Sequence, residues 1–215
     1  MADYSGVKVT MYRWAGSWGP FRIKVPCGEC SLTQDVIRDT LAKELEGIPV
    51  ELEIFEWLSE WWRPLRRGGW HAPIVMVEDK VISQGSALNR GVLTQAVIEH
   101  HSRRSPVKGN HLFGKEGCPH CERGKQYLEE AGIGYTYHNV VRDPRALYEM
   151  LARVKPLVGA KTPITVPQIW LKGEYVGGAD QLGKMVHQHV EPNIDRGQDS
   201  LSLGKDPGNE GETKI

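Results

Sequence analysis

Apolar and polar residues follow the same succession of spacings in both halves of the chain. In the first half, apolar residues recur at helical spacing over residues 32–45 and alternate with other residues over 50–55. In the second half, a helical stretch ends near Gly132 and a strand-like segment follows at residues 135–141. The pattern predicts a helix and then a strand in each half.

A proline opens the next apolar strand in each half. Pro73 precedes one of these strands and Pro167 precedes the other. A turn, a short strand and a closing helix complete each half, with the closing helices predicted at residues 88–100 and 180–190. Three pairs of landmarks are separated by nearly equal lengths of chain: Cys27 and Cys118, Pro73 and Pro167, and Gly85 and Gly178. This repeat predicts a duplicated domain.

We therefore divide the chain into four segments. They are a first domain at residues 1–101, a polar linker at 102–109, a second domain at 110–190 and a tail at 191–215. The tail is rich in Gly, Asp and Ser with few large apolar residues, which is typical of disordered segments. In the first domain, extra residues lie between the first strand-like segment and Cys27. Two segments are therefore candidates for the central strand, residues 7–14 and residues 21–25.

Charge and hydropathy narrow the class of protein. The chain has 27 Lys and Arg against 27 Asp and Glu, a balance that gives no sign of a nucleic-acid or anionic-membrane partner. The N-terminus lacks the basic and apolar regions of a secretory signal, and no apolar run reaches the ~18 residues of a membrane span. We expect a cytoplasmic protein without a membrane partner.

The four cysteines form two Cys-x-x-Cys pairs, each at the start of a predicted helix. In Cys118-Pro-His-Cys121, the helix dipole and free backbone N–H groups would stabilise a Cys118 thiolate, which is the form that attacks disulfides. We expect Cys118 to be the more exposed thiol and the nucleophile, with Cys121 as the resolving thiol. His120 and Lys115 would add positive charge. The alternatives are a structural pair or half of a metal site.

The first pair is Cys27-Gly-Glu-Cys30. Glu29 would oppose a thiolate if it pointed towards the sulfurs. Alternatively, Glu29 faces water in the first helical turn and complements the helix dipole. We favour the second arrangement, and we expect Cys27 and Cys30 to form a second redox pair. Four tryptophans of this domain are expected mainly in packing, with one or two beside Pro73 in a partner groove: Trp57, Trp61, Trp62 and Trp70.

Three pieces of the second domain resemble the glutaredoxin family. They are Lys115 before the Cys118–Cys121 pair, Thr165-Val166-Pro167, and Gly177-Gly178-Ala179-Asp180. The first domain is similar to glutaredoxins and thioredoxins in fewer places, chiefly His71-Ala72-Pro73-Ile74. The tandem layout resembles that of two-domain protein disulfide oxidoreductases.

The resemblance implies an α/β protein of two tandem thioredoxin-fold domains, each with a central mixed β-sheet flanked by helices. It implies a cis Val166–Pro167 bond facing Cys118, and a parallel role for Ala72 and Pro73. Several residues would bind glutathione or a peptide substrate: Lys115, His120, Thr165, Val166, Pro167, Gly178 and Asp180. Asp180 would bind a charged end of glutathione and also cap a helix. His120 replaces the family's usual aromatic residue and gives the Pro-His dipeptide of the strongly oxidising DsbA proteins, which leaves the direction of electron flow open.

We therefore expect a thiol–disulfide oxidoreductase with no tightly bound cofactor and no metal, using glutathione as co-substrate. Its partners would be proteins with disulfides or glutathione mixed disulfides, with thioredoxin reductase as an alternative electron donor and no nucleic acid. Two other functions stay open. One is an iron–sulfur or metal carrier that uses the thiolates. The other is a redox protein whose first domain serves as a docking module.

Overall fold

The computed structural model describes residues 6–24, 27–159 and 162–190. The predicted tail, residues 191–215, lies outside the described residues. None of the helices within the described ranges is long and apolar enough to cross a bilayer.

The first unit contains ten elements in chain order. They are β1 (Val7–Arg13), β2 (Gly16–Trp18), β3 (Phe21–Ile23), α1 (Gly28–Ala42), β4 (Val50–Glu56), α2 (Trp57–Glu60), α3 (Trp62–Leu65), β5 (Ile74–Val77), β6 (Lys80–Gln84) and α4 (Arg90–Arg104). Four strands form one sheet in the order β4-β1-β5-β6. Strand β1 runs parallel to β4 and antiparallel to β5, so the sheet is mixed.

The second unit repeats this arrangement with seven elements. They are β7 (His111–Gly114), α5 (Pro119–Glu130), β8 (Thr136–Asn139), α6 (Pro144–Val158), β9 (Gln168–Leu171), β10 (Glu174–Gly177) and α7 (Ala179–Val190). Its sheet has the order β10-β9-β7-β8, with β7 parallel to β8 and antiparallel to β9. Both units therefore have the thioredoxin fold, as the sequence predicts.

The central strand of the first sheet is β1, which decides between the two predicted candidates. Residues 21–25 were the other candidate, and their described part pairs instead with β2 in a separate two-stranded hairpin. The hairpin lies against α2, where the Ser17 backbone N–H donates to Ser59 Oγ at 3.1 Å. Gly16 has a φ of 107°, and a Cβ at this position would lie 2.5 Å from Ser59 Oγ. Only glycine combines this backbone conformation with such close packing.

The two faces of the first sheet are covered unequally. Helices α1 and α4 cover one face and bury Val9, Ile37 and Val97 completely. The other face carries a smaller cluster around Tyr12 and Met76. The four-residue helices α2 and α3 lie near this cluster, whereas in the second unit the 15-residue helix α6 packs on the equivalent face.

The predicted packing of the tryptophans is wrong for three of the four. Trp61, Trp62 and Trp70 are 41%, 44% and 63% exposed. Trp61 and Trp62 stay exposed because α2 and α3 are too short to bring them under another layer of the structure, and Trp70 lies in the loop between α3 and β5. The guanidinium of Arg66 lies 5.1 Å from the centre of the Trp62 ring, so the ring contacts a solvated cation.

Two helix ends differ from the predicted ones. Helix α1 ends at Ala42 rather than at Gly47, since the Leu45 N–H turns back to the carbonyl of Thr40 and buries the Leu45 side chain. Helix α4 continues beyond residue 100 to Arg104, which places three residues of the predicted linker in the helix.

Contacts from the second unit support this extension of α4. Arg153 Nη1 donates to the carbonyls of Ser102 and Ser105 at 3.1 and 2.9 Å, and it thereby satisfies acceptors at the helix C-terminus. The Arg153 side chain is only 11% exposed. Helices α4 and α6 pack together in this region. A buried cation and a helix pair therefore join the two units.

Two histidines lie between the second sheet and the linker. His111 Nε2 is 2.8 Å from the Lys108 carbonyl, which can only accept, so this nitrogen carries the proton. His111 Nδ1 must then accept from His138 Nε2, 2.9 Å away. The His138 ring stacks on Phe113 with centroids 4.5 Å apart. Burial, together with the nearby His111, lowers the pKa of His138.

We predict that His138→Phe makes stability less dependent on pH between 7.5 and 5.5. Unfolding raises the His138 pKa to its ordinary value of about 6.5, so the unfolded chain binds more protons and the free energy of unfolding decreases as the pH is lowered. His101, whose pKa is also lowered by burial, leaves a residual slope. Urea unfolding at several pH values measures the effect, with His120→Gln, a surface histidine, as control. An unchanged slope in His138→Phe would contradict the prediction.

Candidate active site

The second Cys-x-x-Cys pair lies at the N-terminus of α5, beside the loop that precedes β9. Cys118 is the N-cap residue, and its Sγ accepts the backbone N–H of Cys121 at 3.3 Å. The same sulfur lies 3.9 Å from the carbonyl oxygen of Val166, and the Val166–Pro167 bond is cis. An N–H directed at the sulfur and the positive end of the helix dipole both stabilise negative charge on Cys118.

The two thiols of this pair differ in exposure. Cys118 keeps 6% of its surface exposed and Cys121 keeps none, so Cys118 is the sulfur that faces outwards, through a small opening. Burial, and then the Cys118 thiol, raise the pKa of Cys121 to about 11, although the Lys115 backbone amide acts in the opposite direction. Cys121 therefore stays protonated at neutral pH.

The first pair also lies at a helix N-terminus, with Cys27 as the N-cap of α1, but the Cys27 side chain makes no capping hydrogen bond of the kind that Cys118 makes. Its sulfurs are 3.0 Å apart, Cys27 is half-buried and Cys30 is 1% exposed. The Trp14 backbone N–H donates to Cys30 Sγ at 3.2 Å. Burial and the neighbouring Cys27 thiol raise the pKa of Cys30 to about 11. Glu29 is exposed to solvent, as in the favoured sequence interpretation.

A cis bond also precedes the equivalent strand of the first unit. The Ala72–Pro73 bond is cis, and both residues are buried. Ile74, the next residue, pairs with Tyr12, close to the end of β1 from which Trp14 reaches Cys30. The register therefore brings Ala72 and Pro73 to the same end of the sheet as the thiols.

His120, which is predicted to add positive charge, contacts a cation instead. His120 is exposed, and its Nδ1 accepts from Arg123 Nη2 at 2.9 Å. The same nitrogen of Arg123 lies 2.5 Å from Asp180 Oδ1. A ring nitrogen that accepts from a guanidinium carries no proton, so His120 is neutral in this arrangement. Arg123 is the cation here, and sequence reasoning missed it because no motif residue points to it.

Asp180 does not cap helix α7, contrary to the sequence interpretation. The helix begins at Ala179, which places Asp180 within the first turn. The backbone N–H of Gly178 donates to Gln181 Oε1 at 3.1 Å, so a Gln181 side chain takes part of the capping role. The Asp180 carboxylate is 72% exposed and pairs with Arg123. It remains accessible to a cationic ligand.

The other predicted ligand residues differ in exposure, and Val166 is the one whose carbonyl lies next to Cys118 Sγ. Lys115 and Thr165 are exposed, Val166 and Gly178 are half-buried, and Pro167 is buried. The carbonyl of Thr165 is already engaged, since it accepts from Gln168 Nε2 at 2.6 Å. Gln168 in turn accepts from the Tyr175 hydroxyl. This buried polar chain, also missed from the sequence, holds the loop before β9 in place.

Gly114 is a further residue of the site that sequence reasoning missed. A Cβ at Gly114 would lie 3.2 Å from Cys121 Sγ and 3.1 Å from Leu112 Cδ2. A side chain at Gly114 would therefore crowd the resolving sulfur at the end of β7. The position just after an apolar strand and shortly before the cysteines is the signal that could have pointed to it.

Side chains that could bind a metal ion are not clustered within the ranges 6–24, 27–159 and 162–190. No cluster there brings together three His, Cys, Asp or Glu side chains that could hold a metal ion.

Known proteins resemble the second unit. The glutaredoxin family profile matches residues 111–176. Glutaredoxin 3 of Escherichia coli K12 is 31% identical over 71 residues, which cover 33% of this chain and 77% of that protein. The chain belongs to the glutaredoxin family. Glutaredoxins are thiol–disulfide oxidoreductases, and membership supports that activity for this chain.

Two further similar proteins match this chain over very different fractions of their own length. A hybrid peroxiredoxin of Haemophilus influenzae is 32% identical over 73 residues, which are 34% of this chain and only 27% of that protein. The solution structure of a glutaredoxin from Brucella melitensis is 25% identical and has a TM-score of 0.31, covering 39% of this chain and 84% of that one. The glutaredoxin profile lies within the second unit, which contains Cys118 and Cys121.

We predict that iodoacetamide at pH 7 modifies Cys118 well before Cys121 in the reduced glutaredoxin. A pKa of about 11 leaves Cys121 with a thiolate fraction roughly 100-fold below that of an ordinary thiol. Mass spectrometry of peptides sampled over time gives both rates. In guanidinium chloride the two thiols should react alike, and equal rates in the native protein would contradict the assignment.

Proposed function

We propose that this chain is a dithiol–disulfide oxidoreductase in which Cys118 attacks and Cys121 resolves. The supporting observation is that Cys118 Sγ lies at the N-terminus of α5, accepts the Cys121 N–H at 3.3 Å and keeps a solvent opening. The proposal needs no tightly bound cofactor and no metal, because the two thiols supply both electrons.

The proposed reaction has two exchange steps. The Cys118 thiolate attacks one sulfur of the substrate disulfide, the substrate S–S bond breaks, and the departing thiolate takes a proton from solvent. Cys121 then attacks Cys118 Sγ, and its thiol proton goes to the second substrate sulfur as that sulfur leaves. The substrate gains two electrons and two protons, and a Cys118–Cys121 disulfide forms.

The substrate would lie along the loop that ends in the cis proline. Val166 is half-buried next to Cys118, and its carbonyl lies 3.9 Å from the sulfur. An extended peptide there would pair with the backbone at Val166 as a short additional strand. Proteins with accessible disulfides are the substrates that this geometry favours.

Glutathione is the proposed co-substrate. Lys115 would bind a carboxylate of the tripeptide, Thr165 and Gly178 would line its path, and Asp180 would bind its ammonium group. Because Asp180 is already paired with Arg123, the ammonium would share or replace that partner. Exposed ion pairs of this kind are worth about 0.2–1 kcal/mol, so such an exchange costs little.

The first pair is proposed as a second dithiol centre, with Cys27 as the attacking sulfur. The support is its position at the N-terminus of α1, where a backbone N–H donates to the buried Cys30 and Cys27 is the more exposed sulfur. Either glutathione or thioredoxin reductase would return the electrons. A reducing compartment such as the cytoplasm suits this chemistry.

We predict that Cys118→Ser abolishes reduction of disulfide substrates by the second centre. Cys121→Ser should instead accumulate a mixed disulfide, because the first exchange still occurs and the second cannot. Both are measured in a Cys27→Ser/Cys30→Ser background, by substrate thiol release and by intact mass. If Cys118→Ser kept full activity in that background, the second unit would not be the catalyst.

We predict that Asp180→Asn raises the KM for a glutathionylated peptide about two- to fivefold with kcat little changed. The reason is that the variant removes a surface charge partner of the glutathione ammonium and leaves the thiols intact. Steady-state kinetics with glutathione and glutathione reductase measure both constants. Glu174→Gln removes another exposed carboxylate of this unit and serves as the control. Equal KM values for Asp180→Asn and the parent would remove Asp180 from the glutathione site.

A further inference from the structure

The first unit has an inserted hairpin beside its thiols that the second unit lacks. In the second unit, a short loop leads from β7, which ends at Gly114, to Cys118. In the first unit, β1 ends at Arg13, and the hairpin β2–β3 intervenes before Cys27. The insertion therefore lies between the central strand and the attacking sulfur.

One face of the hairpin is apolar and open to solvent. Trp18 and Phe21 are opposite each other in the ladder, so their side chains share a face, and they are 61% and 66% exposed. With residues of α2 they line a groove of about 550 Å³, whose floor and walls include Trp57, Leu58 and Trp61. Contiguous apolar surface of this kind marks an interaction site in soluble proteins.

Trp14 connects this groove to the first thiol pair. Its backbone N–H donates to Cys30 Sγ at 3.2 Å, while its ring lines the groove and stacks on Trp57 with centroids 5.1 Å apart. A polypeptide in the groove would therefore contact the ring of Trp14, the residue whose backbone N–H donates to Cys30 Sγ.

The charge on the groove selects its occupant. Arg22 lines the groove and Lys24 follows directly after the end of β3, and both are exposed. Across the described ranges neither has an ion-pair partner, in contrast to the paired Arg13 nearby. A two-fold symmetric contact with a second copy would bring two such cationic edges together, which is unfavourable. An apolar segment that carries a carboxylate is complementary to both features.

We propose that the aromatic groove docks a segment of a partner protein in which apolar residues and a carboxylate flank the disulfide attacked by Cys27. This inference rests on the proposed redox role of Cys27 and Cys30. Cys27 attacks the partner's sulfur and the partner's S–S bond breaks. Cys30 then attacks Cys27 Sγ and releases the partner as a dithiol. Two electrons and two protons pass to the partner, and a Cys27–Cys30 disulfide forms.

The test uses the pre-reduced full chain with Cys118→Ser and Cys121→Ser, so that only the first pair reacts. The probes are three peptides whose single cysteine carries a thionitrobenzoate mixed disulfide, with Phe, Leu and Asp flanks, with Ser and Gln flanks, or with Phe, Leu and Lys flanks. Single-turnover thionitrobenzoate release is expected to be at least tenfold faster, at subsaturating peptide, for the first probe than for the other two.

Trp18→Ser/Phe21→Ser should bring the three rates to within about twofold of one another, with little effect on the Ser and Gln probe. Arg22→Gln should remove only the difference between the Asp and Lys probes. Trp62→Ser, which removes an exposed tryptophan outside the groove, serves as the matched control and should keep the full preference. Equal rates for all three probes on the parent protein would overturn the docking site.

A binding measurement separates docking from redox chemistry. Fluorescence anisotropy with thiol-free, labelled versions of the peptides is measured on the chain with all four cysteines replaced by serine. Preferential binding of the Phe, Leu and Asp peptide supports the groove even if Cys27 proves inert, in which case only the redox role of the first pair falls. If sedimentation shows dimers that Trp18→Ser/Phe21→Ser dissociates, the groove is a self-association surface and the proposal is wrong.

Discussion

Both thiol sites depend on packing that holds backbone N–H groups against the sulfurs. In each unit the chain leaves the central strand and donates a main-chain amide to the buried cysteine, from Trp14 to Cys30 and from Lys115 to Cys121. In the second unit the amide of Cys121 is directed in turn at Cys118. Sulfur is a weak acceptor, so these contacts are maintained only because the strand, the helix and the cis-proline loop are all fixed by their own packing. The raised pKa values of the two buried thiols, Cys30 and Cys121, follow from that packing.

The two units share a fold but differ in the structure around their thiols. This difference affects which partners they recognise more than the chemistry of the thiols. In the second unit helices cover both sheet faces, and the residues around Cys118 form a small polar opening suited to a peptide or glutathione. In the first unit the short helices α2 and α3 leave one face thinly covered, while an inserted hairpin displays aromatic residues beside Cys30. If both pairs react, the protein presents two dithiols, each at a helix N-terminus, to partners of different chemistry. The packing of α4 on α6 and the largely buried side chain of Arg153 join the two units, so that both surfaces lie on one structure.

Near the second site, one arginine contacts both a carboxylate and an imidazole. Arg123 contacts both His120 and Asp180, so the histidine between the cysteines is neutral as long as this contact persists. The Pro-His dipeptide alone would favour an ionised imidazole near the thiolate and hence a more oxidising centre. The geometry places the cation on Arg123 instead. A ligand that draws Asp180 away would change the partner of Arg123 and, through it, the environment of His120.

Local features of the sequence determined the two cysteine-led helices, the proline-led strands and the repeat that relates the two domains. These features depend on residues close together in the chain: Pro119 at a first helical position, Asp143 before Pro144, and apolar residues at fixed spacing. Tertiary structure alone decided which of two strands is central, why three tryptophans stay exposed, and that Arg123, Gln168 and Gly114 belong to the site. Each of these depends on atoms brought together from distant segments, as when Arg123 meets Asp180 or Gly114 meets Cys121. Periodicity and motifs report what one segment prefers, whereas contacts between segments depend on how the finished sheets and helices fill space.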